Sequence, residues 1–379
     1  MRLMAAIILL LLSVLIAFPA PTYFLWQAEI AATEWSPYFA AAALALVLPG
    51  WRYGRYSIYS AMIALLVFCL DATPLLRALQ IGQTLPAQLT AAFGEVVPLS
   101  LANAPPLVKP ITLRLLYEAP PAPDVSMRTI TYAYRQSGFL KLDLYRSTSM
   151  SSPRPVVVVV HGGSWQGGSR SDLADLNFYL AARGYAVAAI SYRLAPDYRN
   201  PAQSDDLRDA ISFLKYRAAS LALDSTQFAL IGRSAGGHLV LLAAYKNADP
   251  AIKGVVALYP PTDQLYGYQR PSSIIPSREI LKAYIGGSPL ELPMEYLANS
   301  PISHVNSQSP PTLLIHGTKD ELVSIRQSIM LRNRLTAFGR PNFLLELPWA
   351  THGCDYVFTG PCGQLSTYAI ERFLANVLR

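Results

Sequence analysis

One serine in this 379-residue chain sits where it could act as a nucleophile. In Gly232-Arg-Ser234-Ala-Gly236 the hydroxyl lies between two glycines, with an apolar run (Phe228 to Ile231) before it and a helix-like run (Leu239 to Tyr245) after it. Strand, sharp turn and helix in that order form a nucleophile elbow, which lifts a serine hydroxyl clear of a sheet. Glycines suit such a turn because strand and helix pass too close for Cβ atoms. The helix behind the serine begins with unpaired N–H groups, and that of Ala235 is expected where an oxyanion would form. A second set of donors is expected in His161-Gly162-Gly163-Ser164-Trp165, directly after the run Pro155 to Val160. Two glycines at a strand's end let backbone amides turn toward developing negative charge.

A serine hydroxyl hardly ionises near neutral pH and needs a base. The five histidines are His161, His238, His304, His316 and His352. His161 belongs to the Gly-Gly loop and is expected to brace it. His238 falls in the first turn after the serine, which gives it a structural place. His304 lies in a polar loop, and His316 ends a strand. His352, in Ala350-Thr-His-Gly353 just past the last strand-like run, occupies a loop able to bring imidazole over Ser234. A carboxylate should orient that ring and stabilise its cation. Asp320, in His316-Gly-Thr-Lys-Asp-Glu-Leu-Val, follows the preceding strand and fits; Glu321 and Asp355 are the alternatives. Such chemistry needs no metal and no cofactor. Three cysteines are too few for a zinc site or a disulfide framework.

Residues so far apart need a scaffold that collects loops at one edge. From Val125 onward the pattern supplies one. Met127 to Tyr134 and Leu140 to Tyr145 alternate like strands around Gln136-Ser-Gly, a hairpin. The valines from 156 to 160 read as a strand covered on both faces. Strands are then expected at Ala186 to Ser191, Phe228 to Ile231, Gly254 to Tyr259, Thr312 to His316 and Asn342 to Leu347. Helices are expected at Leu173 to Arg183, Ser204 to Ala219, Ile325 to Phe338 and Leu365 to Leu378. Alternation of this kind implies an α/β class with a mostly parallel sheet and sites at the carboxyl ends of its strands. The stretch Pro261 to Ser300, with Tyr266, Tyr268, Ile274, Ile275, Leu281, Tyr284 and Met294, is expected to be irregular and to serve as pocket wall or partial lid, with plain surface packing the alternative. With Trp165 it would favour an apolar acyl or aryl group.

From about Val125 to its end, the chain resembles the α/β-hydrolase superfamily. It is more closely similar to the esterase/lipase branch with a His-Gly-Gly-x-Trp loop, which includes hormone-sensitive-lipase-like carboxylesterases and the group related to feruloyl esterases and kynurenine formamidases. The resemblance rests on His161-Gly-Gly-Ser-Trp165, Ser191-Tyr-Arg-Leu-Ala-Pro196, Pro201-Ala-Gln, Asp205-Asp206 and the Ser-Ala-Gly-Gly-His elbow. The order Ser234, Asp320, His352 is the one such hydrolases use. The resemblance implies Ser234 as nucleophile, Asp320 and His352 as its partners, and backbone donors from Gly163, Ser164 and Ala235. Ser164 stands where many lipase-like members have a third glycine.

The soluble members of that group do not cover the first eighty residues. Hydrophobic residues make up 52% of the chain and collect in its first third. Three apolar runs, Leu3 to Phe18 (continuing to Trp26), Tyr38 to Leu48 and Ile58 to Leu70 (weakly to Leu76), are expected as transmembrane helices. Trp35, Tyr38, Trp51, Tyr53 and Tyr56 are the expected interface anchors. An uncleaved anchor is favoured over a signal peptide, because Pro19 and Pro21 crowd the cut region and no Ala-x-Ala follows. Arg2, Arg52 and Arg55 put the N-terminus and second loop in the cytoplasm, leaving everything after Leu76 outside. Cys354 and Cys362 could then pair, while Cys69 is expected as an inert buried thiol. The domains expected are thus a membrane region (1–79), a proline-rich linker with a short amphipathic segment at Pro86 to Phe93 (80–124), and a catalytic domain (125–379). A net charge of +7 without a basic block or basic helix face argues against nucleic acid.

These features describe a multi-pass membrane protein with an extracytoplasmic serine carboxylesterase domain acting on small-molecule or lipid esters. Acyl transfer or amide cleavage by the same three residues is the alternative within enzymes. A catalytically idle binding protein on this scaffold is the alternative outside them. Oligomeric state is not encoded in any motif.

Overall fold

The computed structural model describes residues 2–47, 57–95, 109–118, 124–136, 138–148, 153–246 and 249–378. Trp51, Arg52, Tyr53, Arg55 and Tyr56, and the prolines of the Ala119 to Pro123 stretch, lie outside the described residues.

The first apolar run does not continue to Trp26. Helix α1 (Arg2–Ala17) stops before Pro19 and Pro21, which exclude helical hydrogen bonding at that point. Helix α2 (Tyr23–Glu34) starts afresh, with the Thr22 hydroxyl accepting from the Leu25 amide. Helix α3 (Ser36–Val47) follows after a bend of 72°. Helix α4 (Ser57–Phe93) runs for 37 residues, about 55 Å at ~1.5 Å per residue, through Pro74 and Pro86. Among the described residues it alone is long and apolar enough to cross a bilayer, or one of two if α2 and α3 count as a single bent span. Helix α1, with 16 residues, reaches only about 24 Å against a hydrocarbon core of ~30 Å.

Three expectations about this region change. The boundary placed at residue 80 falls inside α4, and the segment from Pro86 to Phe93 is its last turns rather than a separate helix. The second half of α4 rests on the α/β domain: Ala78, Leu85 and Leu89 are fully buried in its core, and Phe93 meets Phe373 edge-on at 4.9 Å. Apolar surface inside a contiguous helix goes to whichever partner covers it, and here the partner is the sheet's helical layer. Cys69, expected to be buried, is exposed on the outer face of α4.

The part of the chain from Val125 onward follows the expected alternation. Strands β1 (Val125–Arg135) and β2 (Gly138–Ser147) form the hairpin. Then come β3 (Arg154–Val160), α5 (Ala174–Ala182), β4 (Ala186–Ile190), α6 (Ala202–Tyr216), α7 (Ala218–Leu221) and β5 (Leu223–Arg233). They are followed by α8 (Ala235–Lys246), β6 (Ile252–Leu258), α9 (Gln264–Gln269), α10 (Ser277–Ile285) and α11 (Pro293–Ala298). The chain closes with β7 (Thr312–Gly317), α12 (Arg326–Ala337), β8 (Asn342–Leu347) and α13 (Pro361–Val377). The sheet order is β1-β2-β4-β3-β5-β6-β7-β8, antiparallel at β1/β2 and β2/β4 and parallel elsewhere.

Strand β3 shows why the sheet is central. Val156, Val158 and Val160 join the core on one face, while Val157 and Val159 join the core on the other. A strand has a two-residue period, so a run of valines buries well only when both faces are covered. The stretch expected to be irregular between Pro261 and Ser300 contains the three short helices α9 to α11.

Candidate active site

The elbow is built as the glycine spacing implies. Strand β5 delivers Ser234 at φ +52° before α8 begins, a left-handed conformation that a non-glycine residue adopts only under constraint. A Cβ on Gly232 would lie 2.2 Å from the Gly236 carbonyl oxygen, and one on Gly236 would lie 2.2 Å from that of Val160. Any larger residue at either position would push strand and helix apart.

Ser234, His352 and Asp320 meet within hydrogen-bonding reach. His352 Nε2 lies 3.0 Å from Ser234 Oγ, and its Nδ1 lies 2.7 Å from Asp320 Oδ2. Asp320 sits just past β7, and its Oδ1 accepts the amides of Leu322 and Val323 at 2.9 and 2.8 Å. Burial alone would raise its pKa. The nearby His352 and the hydrogen bonds from His316 and His352 outweigh that and hold the carboxyl well below the usual range. An ionised Asp320 fixes the His352 proton on Nδ1, so Nε2 presents a lone pair to the serine hydroxyl.

The alternatives for the acid are engaged elsewhere. Asp355 accepts from Arg233 Nε and from the Tyr259 hydroxyl in a buried network directly under the elbow. Burial and the Asp355 charge push the Tyr259 phenol well above its usual range, so it remains a donor. Its ring packs 4.4 Å from the His352 imidazole. Glu321 accepts from the Ser273 hydroxyl.

The other histidines are also accounted for. His161 Nδ1 donates to the Gly162 carbonyl, and its ring stacks on Tyr192 at 4.2 Å, the brace expected of it. His304 donates to the Ala298 carbonyl. His316 does more than end a strand. Its Nε2 donates to the Val323 carbonyl at 2.9 Å and to Asp320 Oδ2 at 3.1 Å, so this one carboxylate holds two imidazoles. No sequence motif pointed to that contact.

The loop after β3 turns through three consecutive left-handed residues, Gly163, Ser164 and Trp165, at φ +106°, +55° and +59°. Among the described residues, the amides of Gly163, Ser164 and Ala235 have no hydrogen-bond acceptor within the protein. They line the same cavity as Gly162, Trp165 and Ser234. Unengaged amides beside a nucleophile are what an oxyanion needs. The Ala195 amide, donating to the Trp165 carbonyl at 2.8 Å, ties this loop to the segment after β4. Arg193 holds that segment through a bidentate pair with the buried Asp206.

Trp165 stacks on Tyr284 at 4.3 Å and donates its indole N–H to His238 Nδ1 at 3.3 Å. His238 Nε2 in turn donates to the Asn299 carbonyl at 2.7 Å. Accepting from the indole requires the neutral ring, and burial, outweighing the bond to the Asn299 carbonyl, pushes its pKa down to about 4 from the usual 6.5. The folded chain therefore binds this proton less readily than the unfolded one. The associated stability is complete above pH 6.5 and drains away as the pH falls toward about 4. His238→Gln, which keeps a donor and an acceptor without titrating, is expected to flatten the fall in Tm across that interval. Thermal melts of both proteins check this, and parallel curves would contradict it.

The cavity around Ser234 encloses about 790 Å³. Of the residues expected to wall it, Tyr266, Ile274, Ile275 and Leu281 do so. Tyr284 is buried behind Trp165, and Met294 faces solvent. Tyr23 and Trp26 of α2 also line the cavity and were not anticipated. The polar residues Gln27, Glu29, Thr33 and Glu34 in α2 were the available signal that one of its faces packs on protein. Cys354 and Cys362 are disulfide-bonded beside the His352 loop.

A family model described as BD-FAE matches residues 142–335, half of the chain. Esterase LipC of Mycobacterium tuberculosis is 32% identical over 260 residues, covering 63% of this chain and 62% of that protein. The probable carboxylic ester hydrolase LipM of the same organism is 28% identical over 254 residues, covering 62% of this chain and 58% of that one. The chain thus spans about three fifths of the length of these relatives. Among solved structures, a bacterial heroin esterase superposes with a TM-score of 0.60 at 23% identity, over 77% of this chain and 98% of that one. That likeness is one of fold, and the fold is the α/β-hydrolase fold.

Proposed function

This chain belongs to the BD-FAE family, and from that premise we propose that it is a membrane-anchored serine carboxylesterase. The family match and the esterase relatives support a carboxylic ester hydrolase. The observation that carries the finer reading is the line Ser234–His352–Asp320, with separations of 3.0 and 2.7 Å, at the foot of a cavity lined by unengaged amides.

In this reading Ser234 Oγ attacks the ester carbonyl carbon as its proton passes to His352 Nε2. The carbonyl oxygen becomes an oxyanion held by the amides of Gly163, Ser164 and Ala235. Collapse expels the alcohol, which takes the proton from His352 and leaves an acyl-serine. Water then attacks the acyl group, giving its proton to His352, and the carboxylic acid departs as Ser234 regains its hydrogen. Asp320 stabilises the imidazolium in both halves.

The membrane part of the proposal rests on α4, whose first half exposes Ile58, Met62 and Leu65, and on α1, which exposes Met4, Ile8 and Leu11. The catalytic domain holds one end each of α1, α3 and α4. Lys319 Nζ meets the Leu15 and Ile16 carbonyls at the end of α1, Tyr38 near the start of α3 bonds to the Leu116 carbonyl, and the last turns of α4 join the sheet's helical layer. Arg52 and Arg55 precede α4, which favours a cytoplasmic start for it and an extracytoplasmic catalytic domain. The proposed division is a membrane region of α1 to α4, whose last turns belong structurally to the catalytic domain, and a hydrolase domain from Val125 onward.

The test is a panel of p-nitrophenyl esters and the matching anilides, assayed with the full chain in detergent, together with a C-terminal reporter in intact cells. Ester turnover far above anilide turnover, with the reporter outside, is the expected result. Preferential anilide cleavage would point instead to an amidase. A cytoplasmic reporter would overturn the orientation.

A further inference from the structure

Helix α2 lies outside the family-matched residues 142–335, yet it touches the base-bearing loop along its whole length. Near its start, Trp26 Nε1 donates to the carbonyl oxygen of His352 itself at 3.0 Å. At its far end, Glu34 accepts from Trp349 Nε1 at 3.3 Å and from the Cys362 amide at 2.8 Å. These contacts hold the loop from Trp349 to Gly353 on both sides of the imidazole. The acid loop is held by the same helical pair, because Lys319, next to Asp320, caps the carboxyl end of α1 through the Leu15 and Ile16 carbonyls.

The cavity wall continues into this helical pair. Trp26 packs in a cluster with Leu15 and Ile16, and Ile274 and Leu322 of the catalytic domain pack against it. Tyr23, Trp26, Ile274 and Leu322 all line the cavity. Just outside, the turn after α1 exposes Phe18 by 64%, and the start of α2 exposes Tyr23 and Phe24 by 49 and 76%. An apolar surface therefore runs from the serine's cavity to the outer face of the apolar helices. A cavity of about 790 Å³ is far larger than an acetyl group needs.

We propose that α2 is a working part of the active site, in which Tyr23 and Trp26 select esters bearing a long apolar chain and Trp26 positions the His352 loop. The inference rests on the serine-esterase reading above. Tyr23 and Trp26 form the wall against which the chain lies. Trp26 also acts as a positioning residue through its indole N–H, because a shift of the His352 carbonyl moves the imidazole relative to Ser234.

The experiment compares p-nitrophenyl acetate with p-nitrophenyl decanoate, using the full chain in detergent micelles and the variants Tyr23→Ala, Trp26→Ala and Trp26→Phe. In the two alanine variants the ratio of decanoate to acetate kcat/KM is expected to fall about tenfold or more, chiefly through KM for decanoate. Trp26→Phe keeps an apolar wall and is expected to preserve that ratio while lowering kcat for both esters several-fold. An unchanged ratio in both Tyr23→Ala and Trp26→Ala would overturn the selectivity claim. An unchanged kcat in Trp26→Phe would overturn the positioning role. Should Trp26→Ala fail to fold, Tyr23→Ala and Trp26→Phe still decide the two claims. Failure of the esterase reading looks different: the unmodified chain would hydrolyse neither ester and take no adduct at Ser234.

Discussion

Ser234→Ala is expected to lower kcat for every ester the intact chain hydrolyses by about a millionfold, the scale seen when a serine nucleophile is removed from such a triad. The cavity holds other hydroxyls, those of Ser164, Ser169, Ser272, Ser277 and Ser324 among them. Of the serines lining the cavity, Ser234 alone has its Oγ hydrogen-bonded to an imidazole. An unassisted hydroxyl is a poor nucleophile near neutral pH, so none of the others can replace it. The variant should also keep its fold. Alanine in the left-handed position at φ +52° is strained much as serine is, and the lost oxygen is a small part of the packing. Steady-state kinetics and a thermal melt on the same preparation check both parts. Activity within a hundredfold of the original, at an unchanged Tm, would mean that another group is the nucleophile.

Asp320→Asn is expected to cost about 10⁴-fold in kcat with little change in KM. Every partner of the Asp320 carboxylate donates to it: His352 Nδ1 and His316 Nε2 at Oδ2, and the amides of Leu322 and Val323 at Oδ1. An asparagine brings an NH2 group that finds no acceptor on either side. Backbone amides cannot change their protonation, so the NH2 faces the histidines. His316 can still donate to the Val323 carbonyl. His352 has no such escape and must carry its proton on Nε2, turned toward Ser234, where it cannot act as base. Stability should respond as well. Folded Asp320 holds its pKa below the 3.8 of an ordinary aspartate, so it contributes stability above that pH and loses it as the pH falls further. Asp320→Asn should remove this acid-side dependence, and denaturant titrations at several acidic pH values read it. A kcat reduced tenfold or less would assign the acid's role elsewhere, with Asp355 the first alternative to examine.

Much of this arrangement could be read from the chain because its parts are local. A Gly-x-Ser-x-Gly between an apolar strand and a helix is contiguous, and so is a Gly-Gly pair at the end of a valine run. Asp320 and His352 follow the last two strands at the carboxyl edge, where a parallel sheet collects its loops. What could not be read depends on packing between distant segments. Arg233, Tyr259 and Asp355 meet beneath the elbow from three separate places, and His316 reaches Asp320 only because of how the loop after β7 curls. By sequence alone Trp26 reads as the tail of an apolar run, although Pro19 and Pro21 end α1 and acidic residues stud α2. The last turns of α4 looked like linker because proline and alanine carry no strong period. Burial of Leu85 and Leu89 against the sheet's helical layer decides their state instead.

The most direct test is peptide mass spectrometry after the full chain has reacted with a fluorophosphonate. A single phosphonyl adduct is expected on the Oγ of Ser234, formed in step with the loss of esterase activity. An adduct on any other residue, or complete inhibition with Ser234 unmodified, would remove Ser234 from the nucleophile's role.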